Sequence, residues 1–286
     1  MKNNQNLLTM IEKNENNSGF SIFGTNQYEI TSKYNDETYH IFVYQPSEAP
    51  PSEKGFPVIY LLDGNAIFGS VVEAVRIQSR RPEKTGVIPA IVVAIGYPII
   101  EPFSLTRFKD YTIGKKAESE GVRRPDGSPW PEQGGAEQFL AFIEHELIPQ
   151  MNERFHIDAN RQTIFGHSLG GLLVLHTLFT KPHLFQSYIA GSPSIHWNES
   201  MILKEEQQFI ENLKKDHKQL KLFIGLGELE KYHKNQIKDK TQNMSKRLSI
   251  YEIFGLHVEF TEFTQEGHVS VLLPLINKAL RFSLHP

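Results

Sequence analysis

Residues 161–175 read Arg-Gln-Thr-Ile-Phe-Gly-His-Ser-Leu-Gly-Gly-Leu-Leu-Val-Leu, and no other stretch restricts the fold as tightly. A short β-type run, 162–165, meets Gly166, Ser168 and Gly170 in the pattern G-x-S-x-G, and an apolar helix is predicted over 171–180. Strand, sharp turn and helix together make a nucleophile elbow, in which the turn lifts the Ser168 hydroxyl above the edge of a sheet. Glycines serve there because a Cβ would meet neighbouring strands or a substrate. The helix that follows presents free N–H groups to any anion formed nearby. Alone, G-x-S-x-G also describes an ordinary glycine-rich β–α turn; the apolar strand and helix on either side favour the nucleophile.

The rest of the chain supplies the setting such a turn requires. Further β-type runs are predicted at 27–33, 38–45, 56–62, 88–97, 187–190, 220–226 and 258–263. Helices are predicted at 67–80, 137–152, 199–216, 236–254 and 269–282. The first two runs, joined through Asn35 and Asp36, read as an antiparallel pair. Runs 56–62 and 88–97 are almost continuously apolar, as in strands covered on both faces. The alternation places the chain in the α/β class, with a mostly parallel central sheet and helices on both faces. A single domain is expected over 25–286, preceded by a polar tail at 1–24. Residues 98–133 break the pattern, and so long an irregular insertion is expected to serve a function near the site.

Composition narrows the chemistry by exclusion. With 286 residues, 39% of them hydrophobic, the chain can bury a large core. A net charge of −3 offers nothing to attract nucleic acid. The absence of cysteine excludes a thiolate nucleophile, a disulfide framework and Cys-ligated zinc. No run approaches the roughly 20 apolar residues that span a bilayer, and Leu7 to Ile11 is too short for a signal core. The expectation is a cytoplasmic protein with no membrane partner.

A serine hydroxyl at neutral pH needs a base, and the base needs an orienting acid. In open α/β sheets the reacting groups gather at the carboxyl ends of the strands. Of twelve histidines, His268 alone follows directly on the last predicted strand, in Glu266-Gly267-His268. The order serine, acid, histidine then makes it the base. His167 adjoins the serine, and its side chain is expected to point the other way. The acid is expected after run 220–226, where Glu228 and Glu230 both stand; Glu230 is preferred because two residues past Gly227 let the loop turn back. Asp63 and Asp158 precede the elbow and are weaker candidates. The oxyanion hole is expected from the backbone N–H groups of Leu169 and Asn65.

Leu62-Asp63-Gly64-Asn65, the run Arg-Phe-Lys-Asp-Tyr-Thr at 107–112, Gly-His-Ser-Leu-Gly-Gly at 166–171, Gly-Ser-Pro-Ser at 191–194 and Gly267-His268 resemble the esterase-D-like branch of the α/β-hydrolases. The match is narrowest to the trilactone esterases of catecholate siderophores such as enterobactin, salmochelin and bacillibactin. The resemblance spans nearly everything from about residue 25 onward. It implies the α/β-hydrolase fold, Ser168 as nucleophile, His268 as base, and hydrolysis of the ester bonds of a cyclic trilactone. It implies no cofactor beyond the iron carried by the substrate, and leaves the acid the least settled element. A ferric tris-catecholate is a trianion with flat aromatic arms, so its site should offer cations and stacking surfaces. Arg107, Arg123, Arg124, Trp130 and Trp197 are the candidates. For Arg107 the competing expectation is a buried ion pair with Asp110, and for Trp197 a place in the core. Two other functions share the elbow: a different carboxylesterase or thioesterase, such as an S-formylglutathione hydrolase-like or feruloyl enzyme, and a binding protein on a dead hydrolase scaffold.

Overall fold

The computed structural model describes residues 21–114, 123–124, 127–232 and 235–286. Most of the polar tail expected at 1–24 lies outside them. Among the described residues eight strands form one sheet: β1 (Thr25–Thr31), β2 (Thr38–Tyr44), β3 (Phe56–Leu61), β4 (Ile91–Gly96), β5 (Ile157–His167), β6 (Ser187–Gly191), β7 (Leu220–Gly227) and β8 (Leu256–Phe263). Their order across the sheet is β1-β2-β4-β3-β5-β6-β7-β8. β1 and β2 pair antiparallel, β2 and β4 likewise, and every later neighbour is parallel. The expected α/β architecture is the one observed, and β3 and β4 are buried along their whole length, as their continuous apolar sequences require.

Six longer helical segments cover the sheet: α1 (Gly64–Gln78), α2 (Ala136–Phe142), α3 (Ile148–Arg154), α4 (Leu169–Thr180), α5 (Glu199–Asp216) and α6 (Ile237–Ser249), and α7 (Leu272–Ser283) closes the chain. One core cluster joins α2, α4 and α5 to one face; a second joins α1 and α7 to the other. The helix expected over 137–152 is interrupted by a π turn, Ile143–Leu147, in which the Ile148 N–H reaches the Ile143 carbonyl. Pro149 follows at once; it has no N–H and its ring crowds the carbonyl four residues back, so the wider turn relieves the clash. α4 is buried on all sides except its last residue, which suits a largely apolar helix wedged behind the elbow.

Residues 107–113 of the insertion are built into the fold, which its sequence did not suggest. Arg107–Asp110 forms one helical turn, and Tyr111 and Ile113 enter the core. Asp110 accepts hydrogen bonds from the Tyr39 and Tyr97 hydroxyls at 3.0 and 2.9 Å. Thr112 closes the segment, donating to the Phe108 carbonyl and accepting from the Gly134 N–H. Among the described residues no helix is long and apolar enough to cross a membrane.

Candidate active site

Ser168 stands between β5 and α4 at φ 60° and ψ −115°, a left-handed backbone that a non-glycine residue adopts only under constraint. The constraint is local. The Ser168 N–H donates to the Gly191 carbonyl at 2.9 Å, and a Cβ at position 166 would lie 2.3 Å from the Gly170 carbonyl oxygen. Only glycine allows the helix to fold back so closely on the strand.

β7 and β8 bring up the other two groups. Glu230 lies in a 3₁₀ turn, Glu228–Tyr232, directly after β7, and His268 lies in the loop between β8 and α7. His268 Nε2 is 3.0 Å from Ser168 Oγ, and His268 Nδ1 is 2.7 Å from Glu230 Oε2. An ionised carboxylate only accepts, so Nδ1 carries the proton and donates to Glu230; Nε2 is then free to accept from the Ser168 hydroxyl. Glu230 is 3% exposed. Burial pushes its pKa up, but donation from His268, from the Ser192 hydroxyl and from the Gly227 N–H outweighs burial and leaves it below the usual carboxylate range. Glu228 faces away, paired with Lys231 at 3.1 Å and accepting the Gln265 N–H.

The remaining expected residues divide. Leu169 and Asn65 both occupy the first turn of a helix, α4 and α1, where an N–H has no carbonyl four residues back. The Asn65 side chain fixes its own turn through the Tyr97 and Ile99 carbonyls and the Tyr97 N–H. Arg107 requires correction. Its guanidinium is buried and grips the Asp63 carboxylate with two bonds of 2.8 Å, and it also donates to the His167 carbonyl at 3.4 Å. Its ion-pair partner is Asp63 and not the expected Asp110. Burial disfavours its charge, yet the Asp63 carboxylate more than offsets that and raises its pKa. Asp63 is thereby committed to Arg107, and its N–H to the Tyr111 hydroxyl. Trp197 is buried in an aromatic cluster with Phe108 and the half-buried Trp130, so it fills core. Arg123 and Arg124 bond within their own turn, to the Gly127 carbonyl and the Ser128 hydroxyl.

His167 is a second correction. It does not point away: its ring packs on His268 with centroids 4.9 Å apart. Burial and the neighbouring His268 push its pKa down to about 3, so it stays neutral. Sequence reasoning also passed over Ser192, whose hydroxyl donates to Glu230 Oε1 at 2.6 Å, and Ser194, 3.3 Å from Ser168 Oγ. The available signal was positional: Gly-Ser-Pro-Ser ends β6, the strand beside β5.

Residues 32–268 match the Esterase family ("Putative esterase"). The chain belongs to that family. This esterase is 52% identical over 269 residues to ferri-bacillibactin esterase BesA of Bacillus subtilis (strain 168), covering 94% of this chain and 92% of that one. It is 34% identical to the siderophore enterobactin esterase of Emericella nidulans, over 89% of this chain and 92% of that protein. Among solved structures it resembles the BES protein from Bacillus cereus, with a TM-score of 0.87, 41% identity, and 94% and 98% of the two chains covered. The α/β-hydrolase fold and an ester-hydrolysing activity follow from these matches.

Proposed function

We propose that this esterase is a cytoplasmic serine hydrolase that opens the trilactone of a ferric catecholate siderophore, with Ser168 as nucleophile, His268 as base and Glu230 as the orienting acid. The observation that carries the reading is the unbroken hydrogen-bonded line from Glu230 through His268 to Ser168, in a chain 52% identical to a ferri-bacillibactin esterase.

In this mechanism Ser168 Oγ attacks an ester carbon of the ring and its proton passes to His268 Nε2. Glu230 holds the imidazole in the accepting tautomer and stabilises the imidazolium. The carbonyl oxygen gains negative charge against the Leu169 and Asn65 N–H groups, each such donor being worth roughly 10²–10³ in rate. The ester C–O bond then breaks, and the departing alkoxide takes the proton from Nε2. Water attacks the acyl-enzyme, gives a proton to Nε2, and Ser168 leaves with it. Arg123 and Arg124 supply cations toward the anionic chelate. The exposed face of Trp130 and the exposed Phe103 supply flat apolar surface; Phe103 lies against Arg107, 5.4 Å from ring centre to guanidinium. Iron leaves with the opened chelator and is substrate, not cofactor.

The test is incubation with ferric bacillibactin or ferric enterobactin and mass spectrometry of the products. Linear trimer and shorter fragments are expected. Rapid turnover of S-formylglutathione with the trilactones intact would overturn the substrate assignment and leave the serine hydrolase.

A further inference from the structure

The turn Gly191–Ser194 touches both ends of the line just described. It is bonded into the site by its backbone. The Gly191 carbonyl accepts the Ser168 N–H at 2.9 Å, the Ser192 N–H donates to the Gly225 carbonyl at 2.7 Å, and the Ser194 N–H donates to the Ser168 carbonyl at 3.1 Å. Helix α4 packs so tightly on the turn that a Cβ at position 171 would lie 2.7 Å from the Gly191 carbonyl oxygen. Ser192 is fully buried and sits at φ 40°, a strained conformation for a serine. That backbone aims its hydroxyl at Glu230 Oε1, 2.6 Å away, where the Gly227 N–H is the other donor, at 2.8 Å.

Ser194 lies at the opposite end, its Oγ 3.3 Å from Ser168 Oγ. The direction of that contact follows from counting protons. Glu230 fixes the His268 proton on Nδ1, so the single proton of Ser168 is directed at Nε2. Ser168 has no second proton to give, and Ser194 is the donor. At 3.3 Å the bond is longer than a resting O–H···O bond of 2.5–3.0 Å. A loose donor tightens as negative charge builds on the oxygen it faces, which happens when Ser168 gives up its proton and again when it departs from the acyl group. An interaction that is weak in the resting enzyme and strong at the transition state accelerates the reaction.

We propose that Ser194 is a further catalytic residue, donating a hydrogen bond to Ser168 Oγ as charge develops there, and that Ser192 is a positioning residue acting through Glu230. The proposal rests on the serine hydrolase reading above and deepens it. Gly191-Ser-Pro-Ser thereby belongs to the reaction machinery and is not a mere strand end.

The experiment measures two constants on the full chain: kcat/KM for a neutral p-nitrophenyl ester, and the second-order rate of inactivation by a fluorophosphonate, which stops after attack by Ser168. Ser194→Val is expected to lower both about tenfold, as loss of one hydrogen bond to a charging group predicts, while Ser194→Thr keeps the hydroxyl and most of the rate. Should Ser194→Val fail to fold, Ser194→Ala against Ser194→Thr supplies the same comparison. Ser192→Ala is expected to cost about tenfold in wild type and almost nothing further once Glu230→Ala is present. Equal rates for Ser194→Val and Ser194→Thr would overturn the role of Ser194. Losses from Ser192→Ala and Glu230→Ala that simply multiply would overturn that of Ser192. A wild-type protein that the fluorophosphonate never labels at Ser168 would defeat the hydrolase reading itself, a failure distinct from both.

Discussion

Ser168, His268 and Glu230 are separated by up to a hundred positions in the chain and meet within single hydrogen bonds of 2.7 and 3.0 Å. In the proposed mechanism the three act as a unit, so Ser168→Ala and His268→Ala are each expected to cost at least about 10³-fold in kcat, and the double variant little more. Glu230→Gln should cost on the order of 10³–10⁴-fold, because the Ser192 hydroxyl and the Gly227 N–H hold the amide oxygen and turn its NH2 toward Nδ1, which favours the wrong tautomer. Glu228→Gln should cost almost nothing, and steady-state kinetics on a chromogenic ester checks each variant. Ser168 and His268 were legible because a motif and a chain order point to them. Glu230 was legible only as one of two, because periodicity does not say which residue of a 3₁₀ turn faces inward. The partner of Arg107 was not legible at all. Asp63 lies 44 positions away, and nothing in either local pattern shows that two loops will converge. Arg107→Met strands a buried carboxylate and should lower stability by about 3–5 kcal/mol in urea unfolding. Replacing both partners, as Arg107→Met with Asp63→Leu, should cost less than the two single losses combined.

Helices and strands carry a second layer of polar fastening. His176 on α4 is buried between Glu205 of α5, at 2.8 Å, and Glu137 of α2, at 3.1 Å. Burial works against its charge, but the two carboxylates outweigh burial and raise its pKa from 6.5 to about 9. The folded protein therefore holds a proton that the unfolded chain releases more readily. The stabilisation is complete below pH 6.5 and is lost as the pH rises through about 9. Its size is on the order of 1–3 kcal/mol, since Glu137 is largely exposed and screened. Urea unfolding between pH 6 and 10 should show this decline, and His176→Gln should flatten it. At this scale element type and order followed from hydrophobic periodicity, strand by strand. The π turn did not, because its cause is a clash at Pro149 that a helical period cannot register. The insertion at 98–133 looked irregular for a related reason: Tyr111 and Asp110 are buried by partners on distant strands and have no periodic neighbours.

Over the whole molecule the parallel strands β5, β7 and β8 lead to Ser168, Glu230 and His268 at their carboxyl ends, which is why loops far apart in sequence can meet. The alternation of elements implied the layers but not the order β1-β2-β4-β3-β5-β6-β7-β8, since crossovers leave no local mark. A net charge of −3 would give the proposed trianionic substrate no overall attraction, so on that reading its recognition rests on local cations. Arg123→Ala with Arg124→Ala is accordingly expected to raise KM for a ferric catecholate several-fold and to leave KM for a neutral ester unchanged. The most direct test of the central claim is a rapid acid quench of the enzyme turning over a ferric catecholate trilactone, followed by peptide mass spectrometry. An acyl fragment of the opened ring is expected on Ser168, absent from Ser168→Ala. Ring opening at the wild-type rate in Ser168→Ala, or an acyl group carried by another residue, would contradict that claim.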